Sequence, residues 1–225
     1  MRLVGLTGGI ASGKTSVASV LKEHGVAVLS CDAAAKQVVE QGCPGYKKVI
    51  AKFGEAILLP SGEIDRVKLG DLVFNDAENR DALNKCIHPE IAKVIRRHII
   101  WHFIKGTTIV AVDIPLLYES CNINPFLHSI VVVYCTAEQQ KVRLMDRNDH
   151  FTEEEAQARV DSQLCIEEKR KRGDHVIDNT GLFSETERQV AALVPHLKDG
   201  IVPIQKIILL GLFALIVFIV WSKMF

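Results

Sequence analysis

The strongest constraint on the fold is an octapeptide near the start of the chain, Gly8–Thr15, which reads GGIASGKT. It matches the phosphate-binding loop (P-loop) pattern G-x-x-x-x-G-K-[ST]. Residues 2–6 before it predict a short buried strand, and residues 15–22 after it predict a helix with one apolar face. Because strand, loop and helix follow in the order that this pattern requires, we favour a nucleotide-binding loop over a glycine-rich turn with a chance lysine.

Each part of the loop has an expected role toward a bound nucleotide. The glycines permit a tight turn that aims backbone N–H groups at phosphates, and the helix N-terminus adds partial positive charge. Lys14 is expected to reach the β- and γ-phosphates, and the Thr15 hydroxyl to bind Mg²⁺. The candidate nucleotide-binding residues of the loop are therefore Gly8, Gly9, Ile10, Ala11, Ser12, Gly13, Lys14 and Thr15.

The rest of the chain predicts a parallel α/β fold. Short apolar runs of strand type recur between helical segments, at residues 26–29, 108–112, 129–134 and 175–177. Such alternation is typical of a parallel sheet covered by helices on both faces. Residues 44–104 show mostly helical spacing, which predicts a block of helices inserted between strands.

Composition excludes some partners. Lysine and arginine total 27 residues and aspartate and glutamate also total 27, so the net charge is zero. This balance argues against a nucleic-acid binder that relies on a general basic surface. The six cysteines show no C-x-x-C pair or ligand-like spacing, which favours reduced thiols over disulfides or zinc.

The remaining motifs narrow the reaction. A GTPase needs a base-reading N-K-x-D motif, but the sequence over 84–87 is NKCI. Small-molecule kinases instead combine a P-loop with arginines whose planar guanidinium groups stabilise the charge on the transferring phosphoryl oxygens. Arg143 and Arg147 are four apart and share a helix face, so we favour them as lid arginines over solvated surface. For the basic run 169–172, a solvated surface and a functional role both stay open.

At this point the sequence resembles the dephospho-CoA kinase family, from residue 2 to about residue 195. The resemblance is carried by the order and spacing of motifs, which are LTGGI (6–10), GEIDR (62–66), HPEI (88–91), DIPLLYE (113–119), Gln163 and VIDNTG (176–181). It implies ATP-dependent phosphorylation of the ribose 3′-hydroxyl of dephospho-CoA. It also implies a P-loop nucleoside-triphosphate hydrolase fold of the nucleotide-kinase kind, forming one domain over 1–198, with a helical acceptor block at about 33–104 and a lid at about 143–173.

The resemblance also implies site residues. Asp32 is the acidic residue expected to accept the proton of the acceptor hydroxyl, with Lys14 and Arg143 stabilising the phosphoryl group; Asp32 would also be an ordinary helix N-cap. Asp113 at a strand end is a candidate for a Mg²⁺ contact. The expected nucleotide-binding residues also include Arg147 and Asn179. The expected acceptor-binding residues are Asp32, Arg66, His88, Pro115, Leu116, Leu117 and Gln163.

One departure from the family concerns the end of the second strand. The family usually has a D-x-D pair there, whereas this chain has Ser30-Cys31-Asp32. The loss of a carboxylate puts the rate or the metal affinity in question. It motivates an alternative function, a membrane-tethered sensor or scaffold that binds CoA or nucleotide with little turnover. A kinase for another nucleoside-like acceptor is a third hypothesis.

The chain ends in an uncharged apolar run at 207–221. Extended back to Ile201 it would cover about 30 Å as a helix, with Lys206 and Lys223 near the two interfaces. The sequence therefore predicts a transmembrane tail anchor over 201–222, in preference to a buried C-terminal helix. The catalytic domain would then face the cytosol on the mitochondrial outer membrane or the endoplasmic reticulum. A cleaved leader is not expected, because the first strand starts at residue 2.

Overall fold

The computed structural model describes residues 1–74, 76–120, 126–147 and 151–199. Its centre is a five-stranded sheet in the order β2-β3-β1-β4-β5. The pairings of β1 with β3, of β1 with β4 and of β4 with β5 are parallel, which confirms the predicted parallel α/β architecture. The strands are β1 (Arg2–Gly8), β2 (Ala27–Ser30), β3 (Ile109–Asp113), β4 (Ser129–Tyr134) and β5 (His175–Asp178).

Helices connect the strands, as parallel pairing requires. Those of the described residues are α1 (Lys14–Glu23), α2 (Cys31–Val38), α3 (Pro44–Phe53), α4 (Arg66–Phe74), α5 (Ala77–Ile104), α6 (Leu117–Ser120), α7 (Ala137–Arg147), α8 (Glu153–Asp161), α9 (Ile166–Arg172) and α10 (Phe183–Lys198). A short 3₁₀ turn at Glu55–Ile57 follows α3. The chain divides into two compact units, one formed by 1–29 with the described residues from 101 onward, and the other by 30–100.

The sheet supplies the core of the first unit. Every residue of β3 is buried, and β1 and β4 are buried over most of their length. Their β-branched side chains pack against the apolar faces of α1 and α10, including Val17, Leu21 and Val190. The strand register brings Leu6 opposite Asp113, and Gly8 opposite Val133. The carboxyl ends of the three central strands therefore meet where the P-loop leaves β1.

The second unit has its own small core around Val49, Ile57 and Ile64. An isolated antiparallel bridge between Leu58 and Ile64 closes the turn over residues 59–63 within this unit. Glu90 is a buried carboxylate on α5 that accepts hydrogen bonds from Lys48 at 2.7 Å and from Lys93 at 2.9 Å. The predicted helical block thus has an apolar centre and a buried carboxylate that is paired with two exposed lysines.

One local prediction about a helix start was wrong. Asp32 does not cap a helix: α2 begins at Cys31, and the Ser30 hydroxyl is the cap, accepting from the Ala33 amide at 3.2 Å. In the same unit, helix α5 runs through Pro89 without interruption.

The predicted tail anchor over 201–222 falls outside the described residues. Within the ranges that the structure describes, none of the helices combines the length and apolarity needed to cross a membrane. The predicted fold class is therefore corrected to the parallel α/β P-loop architecture, which is what the described residues show. The prediction of a tail-anchored location on a mitochondrial or endoplasmic-reticulum membrane is withdrawn with it.

Shortening a buried side chain of the central strand β1 should strongly lower the stability of the fold. Leu6 is fully buried, so Leu6→Ala removes apolar contacts and leaves a cavity, and we expect the free energy of unfolding to fall by about 2–5 kcal/mol. Urea unfolding followed by circular dichroism measures the change. Leu182→Ala is the matched control, because Leu182 is 74% exposed. Equal losses in the two variants would contradict the burial of Leu6.

The Glu90 cluster should make stability depend on pH. The hydrogen bonds from Lys48 and Lys93 lower the pKa of the Glu90 carboxyl below its ordinary 4.5. This stabilisation is complete above the unfolded pKa and is lost as the pH falls through the folded pKa. We therefore expect Glu90→Gln to lower the urea midpoint at pH 7 and to approach the wild type as the pH falls below 4.5 and through the folded pKa. The exposed Glu40→Gln is the control; a Glu90→Gln effect independent of pH would contradict the ion cluster.

Candidate active site

The predicted P-loop forms the link between β1 and α1. Gly13 has φ 90° and Ala11 has φ 55°, so the loop turns through two left-handed positions within three residues. The Ser12 amide donates to the Gly9 carbonyl at 3.2 Å, and the Gly13 carbonyl begins α1 by accepting from Ser16 at 3.0 Å. The backbone therefore curls tightly and ends on a helix N-terminus, which is the geometry of an anion cradle.

Three alternate carbonyl oxygens of the loop accept hydrogen bonds from side chains of distant elements. The pairs are Gly8 with Lys169 Nζ at 3.4 Å, Ile10 with Gln140 Nε2 at 2.7 Å and Ser12 with Asn179 Nδ2 at 2.8 Å. In a planar trans peptide the C=O and the following N–H point in opposite directions. The amides of Gly9, Ala11 and Gly13 are therefore turned away from these side chains and held in fixed orientations.

Two of the loop glycines are required by this arrangement. A Cβ on Gly9 would lie 1.9 Å from Gln140 Nε2, and a Cβ on Gly13 would lie 2.0 Å from Asn179 Nδ2. Neither distance is compatible with a side chain. The glycines thus serve the approach of the supporting side chains as well as the conformation of the loop.

Gln163 contacts the P-loop directly. Its Oε1 accepts from the Ile10 amide at 3.0 Å, so this amide is engaged within the protein. Among the predicted loop residues, Ile10 is therefore held on both of its backbone polar groups, by Gln163 and by Gln140. The role of Gln163 in acceptor binding stays a prediction, and its observed position is beside the nucleotide loop.

Lys14 and Asp113 form an ion pair, with 13% and 11% of their side chains exposed. Asp113 is the last residue of β3, next to β1 in the sheet, which explains why the two side chains meet. Thr15 is exposed on the first turn of α1. The structure thus brings the predicted phosphate-binding cation and one predicted metal ligand together.

Arg143 lies against the segment that follows β5. Its Nη2 donates to the Asn179 carbonyl at 2.8 Å, while its buried Nη1 has no hydrogen-bond partner among the described residues. Burial raises the pKa of the nearby Cys135 thiol, and the Arg143 charge only partly opposes this, so the thiol stays protonated at neutral pH. Arg147, on the last turn of α7, is exposed.

Asn179 is buried and connects three elements. Its Oδ1 accepts from the Thr186 hydroxyl at 2.8 Å, which fixes the amide so that its Nδ2 faces Ser12. At the end of β5, the Asp178 carboxylate accepts from the Thr180 amide at 2.9 Å. Asn179 therefore joins α10 and the end of β5 to the P-loop.

The predicted acceptor-binding residues fall in both units. The Pro115 carbonyl accepts from the Thr7 hydroxyl at 3.3 Å, Leu116 is 41% exposed, and Leu117 is buried. These three residues follow β3 in the first unit. Gln163, described above, also lies in the first unit, whereas Asp32, Arg66 and His88 are exposed residues of the helical unit. Their approach to the nucleotide stays a prediction.

Sequence reasoning missed three contributors to the site: Gln140, Glu119 and Lys169. Lys169 is the first residue of the basic run whose role was left open, and it is fully buried, whereas Arg170, Lys171 and Arg172 are exposed. Glu119 stands in the recognised DIPLLYE motif, but no role was drawn from it. The sequence did not indicate a site role for Gln140, because a polar residue on a charged helix is expected to be exposed to solvent.

Comparisons with known proteins agree with this geometry. The family model for dephospho-CoA kinase matches residues 2–185. A dephospho-CoA kinase domain-containing protein of Danio rerio is 45% identical over 199 residues, which are 88% of this chain and 86% of that protein. A dephospho-CoA kinase of Oryza sativa subsp. japonica is 40% identical over the same shares of the two chains.

Two solved structures are similar to this chain in both fold and sequence. TT1252 from Thermus thermophilus has a TM-score of 0.74 and 34% identity, over 87% of this chain and 97% of that one. Dephospho-CoA kinase from Campylobacter jejuni has a TM-score of 0.66 and 28% identity, over 89% of this chain and 99% of that one. The chain therefore belongs to the dephospho-CoA kinase family.

Proposed function

We propose that the P-loop site transfers the γ-phosphoryl group of ATP to the ribose 3′-hydroxyl of dephospho-CoA, giving coenzyme A. The chain is a kinase of the dephospho-CoA kinase family, and this is the family's reaction. The observation that carries the proposal is the loop in which three carbonyls are held from outside, so that three amides are oriented in advance. Preoriented donors stabilise phosphoryl charge without reorganisation during the reaction.

The residues present fit ATP and Mg²⁺. The Ser12 hydroxyl is buried without a partner among the described residues, and the oriented amides of Gly9, Ala11 and Gly13 are donors suited to a phosphate. The Thr15 hydroxyl and the Asp113 carboxylate are hard oxygen donors of the kind that Mg²⁺ prefers. When bound, Mg²⁺ would neutralise charge on the phosphate oxygens.

Lys14 would bind the phosphates after separating from Asp113. In the ion pair, the Asp113 carboxylate is the anionic partner of the Lys14 ammonium. The nucleotide's phosphates carry more negative charge than one carboxylate, so they compete successfully for Lys14. The same exchange would release Asp113 for contacts to the metal.

Arg143 would hold the nucleotide from the side of β5. One of its amino groups is committed to Asn179, and the other is a buried donor without a partner among the described residues. A buried unpaired donor costs free energy, which a ligand oxygen or ring nitrogen would recover. Arg147 is exposed and would contact ATP as a second cation of the lid.

Asp32 would accept the proton of the 3′-hydroxyl, because a ribose hydroxyl is a weak nucleophile and a carboxylate is a suitable general base. Ser30, which replaces the first acid of the family's pair, caps α2 and so keeps Asp32 on the first helical turn. The other residues proposed to bind the acceptor are Arg66, His88, Pro115, Leu116, Leu117 and Gln163.

Replacing the P-loop lysine should abolish most of the activity. We expect Lys14→Ala to lower kcat by at least about a hundredfold, because one preorganised cation at the transferring phosphoryl group is lost. CoA formation by the full-length chain from Mg-ATP and dephospho-CoA is followed by mass spectrometry. Lys22→Ala, an exposed lysine on the same helix, is the control. Wild-type activity in Lys14→Ala would remove the P-loop from the reaction.

Asp32 should affect turnover more than binding. We expect Asp32→Asn to lower kcat by about 10²–10⁴-fold with little change in the KM for ATP, because an amide does not accept the proton. The exposed Asp71→Asn on α4 is the control. Unchanged kcat in Asp32→Asn would exclude it as the base.

The same assay, combined with binding titrations of ATP and dephospho-CoA, distinguishes a kinase from a sensor that binds without turnover. Lys14-dependent CoA formation by the wild-type chain supports the kinase and shows that Ser30 is tolerated. Saturable binding of ATP and dephospho-CoA without product would instead favour a binding protein with little turnover.

A further inference from the structure

Lys169 is a buried lysine outside the P-loop, and the proposed reaction gives it no contact with a substrate. Its side chain is 0% exposed, and its ammonium lies 2.7 Å from Glu119 Oε1. The same ammonium lies 3.4 Å from the carbonyl oxygen of Gly8, where the P-loop begins. Burial of an ammonium is costly even in an ion pair, and an apolar pair of similar size often stabilises a fold as well. Stability alone therefore does not explain the choice of a lysine here.

The Lys169–Glu119 pair joins three segments of the site. Gly8 ends β1, Glu119 lies on the short helix α6 that follows β3, and Lys169 lies on α9. Glu119 Oε1 also accepts from the Leu164 amide at 3.1 Å. The neighbouring Gln163 in turn accepts from the Ile10 amide. Residues 163–169 are thus tied to the first three residues of the P-loop at two points.

Helix α9 is itself firmly attached to the sheet. The Tyr134 hydroxyl donates to Glu167 Oε1 at 2.5 Å, and the Arg170 guanidinium lies 4.6 Å from the centre of the Tyr134 ring. These contacts fix the helix from which Lys169 projects. The ammonium is therefore a rigid point against which the Gly8 carbonyl is held.

Peptide geometry connects this contact to ATP. Because the Gly8 carbonyl points toward Lys169, the Gly9 amide in the same peptide plane points away from it. A P-loop binds phosphate through such amides, and the oriented amides are the observation that carries the proposed function.

We propose that Lys169 is a positioning residue that orients the Gly9 amide for phosphate binding and is itself held by Glu119. The inference rests on the proposed function only in taking ATP as the P-loop ligand. It assigns to the buried lysine an effect on ATP affinity that is separate from its effect on folding. Since the ammonium acts through the backbone, its loss weakens phosphate binding without removing a group that touches the nucleotide.

The test compares ATP affinity with stability in matched variants of the full-length chain. Isothermal titration with Mg-ATP gives the Kd, and urea unfolding gives the midpoint. Lys169→Met removes the donor at similar volume, and we expect the Kd to rise about tenfold. Lys171→Met, on the same helix and 71% exposed at its side chain, should leave the Kd unchanged.

A double variant separates positioning from folding. Lys169→Met with Glu119→Gln removes both charges and keeps an acceptor for the Leu164 amide, so we expect the unfolding midpoint to return toward that of the wild type. The raised Kd for ATP should persist in this variant, because the Gly8 carbonyl still lacks its donor. If the double variant binds ATP as the wild type does, Lys169 is structural only and the proposal is overturned.

Two further results complete the test. Lys169→Arg retains a cationic donor and should recover at least part of the ATP affinity, whereas affinity as low as in Lys169→Met would contradict the proposal. A wild-type chain that binds ATP but makes no CoA would overturn the proposed reaction and leave the role of Lys169 to be decided by the same titrations.

Discussion

The site depends on one constraint: the P-loop carbonyls must point outward so that its amides can bind phosphate. A free glycine-rich loop samples many conformations, and fixing each residue costs about 1–2 kcal/mol in conformational entropy. Here hydrogen bonds from Lys169, Gln140 and Asn179 fix alternate carbonyls before any ligand binds. These three donors are placed around the P-loop by three elements packed on the sheet or within it: α7, α9 and the end of β5.

Much of the fold could be predicted from local patterns. The β-branched runs marked the strands because buried parallel strands need apolar residues on both faces. The P-loop was predicted because its spacing and its position between strand and helix are specific. Helix starts were less predictable, since Ser30 and Asp32 are both good caps and only the backbone path decides between them. Helix α5 likewise continues through Pro89, although proline has the lowest helix propensity.

The supporting residues of the site could not be predicted in the same way. Gln140 and Lys169 lie on helices whose sequences read as polar surface, and their burial follows from the distant segments that cover them. The family resemblance indicated that Gln163 and Asn179 belong to the site, but it did not indicate that both bind the backbone of the P-loop. A sequence pattern identifies the groups that touch a ligand more readily than the groups that hold those in place.

The long-range contacts of the loop also govern the order in which the protein acquires its function. Four side chains contact the loop from far along the sequence. The sequence separations are 130 residues for Gln140, 153 for Gln163, 161 for Lys169 and 167 for Asn179. Contacts at such separations close late in folding, because the entropy of bringing the ends together must be overcome first. During synthesis, the loop is made before all four of its partners and receives its last support only when β5 has joined the sheet. An incomplete chain therefore contains the nucleotide-binding sequence without the nucleotide-binding geometry.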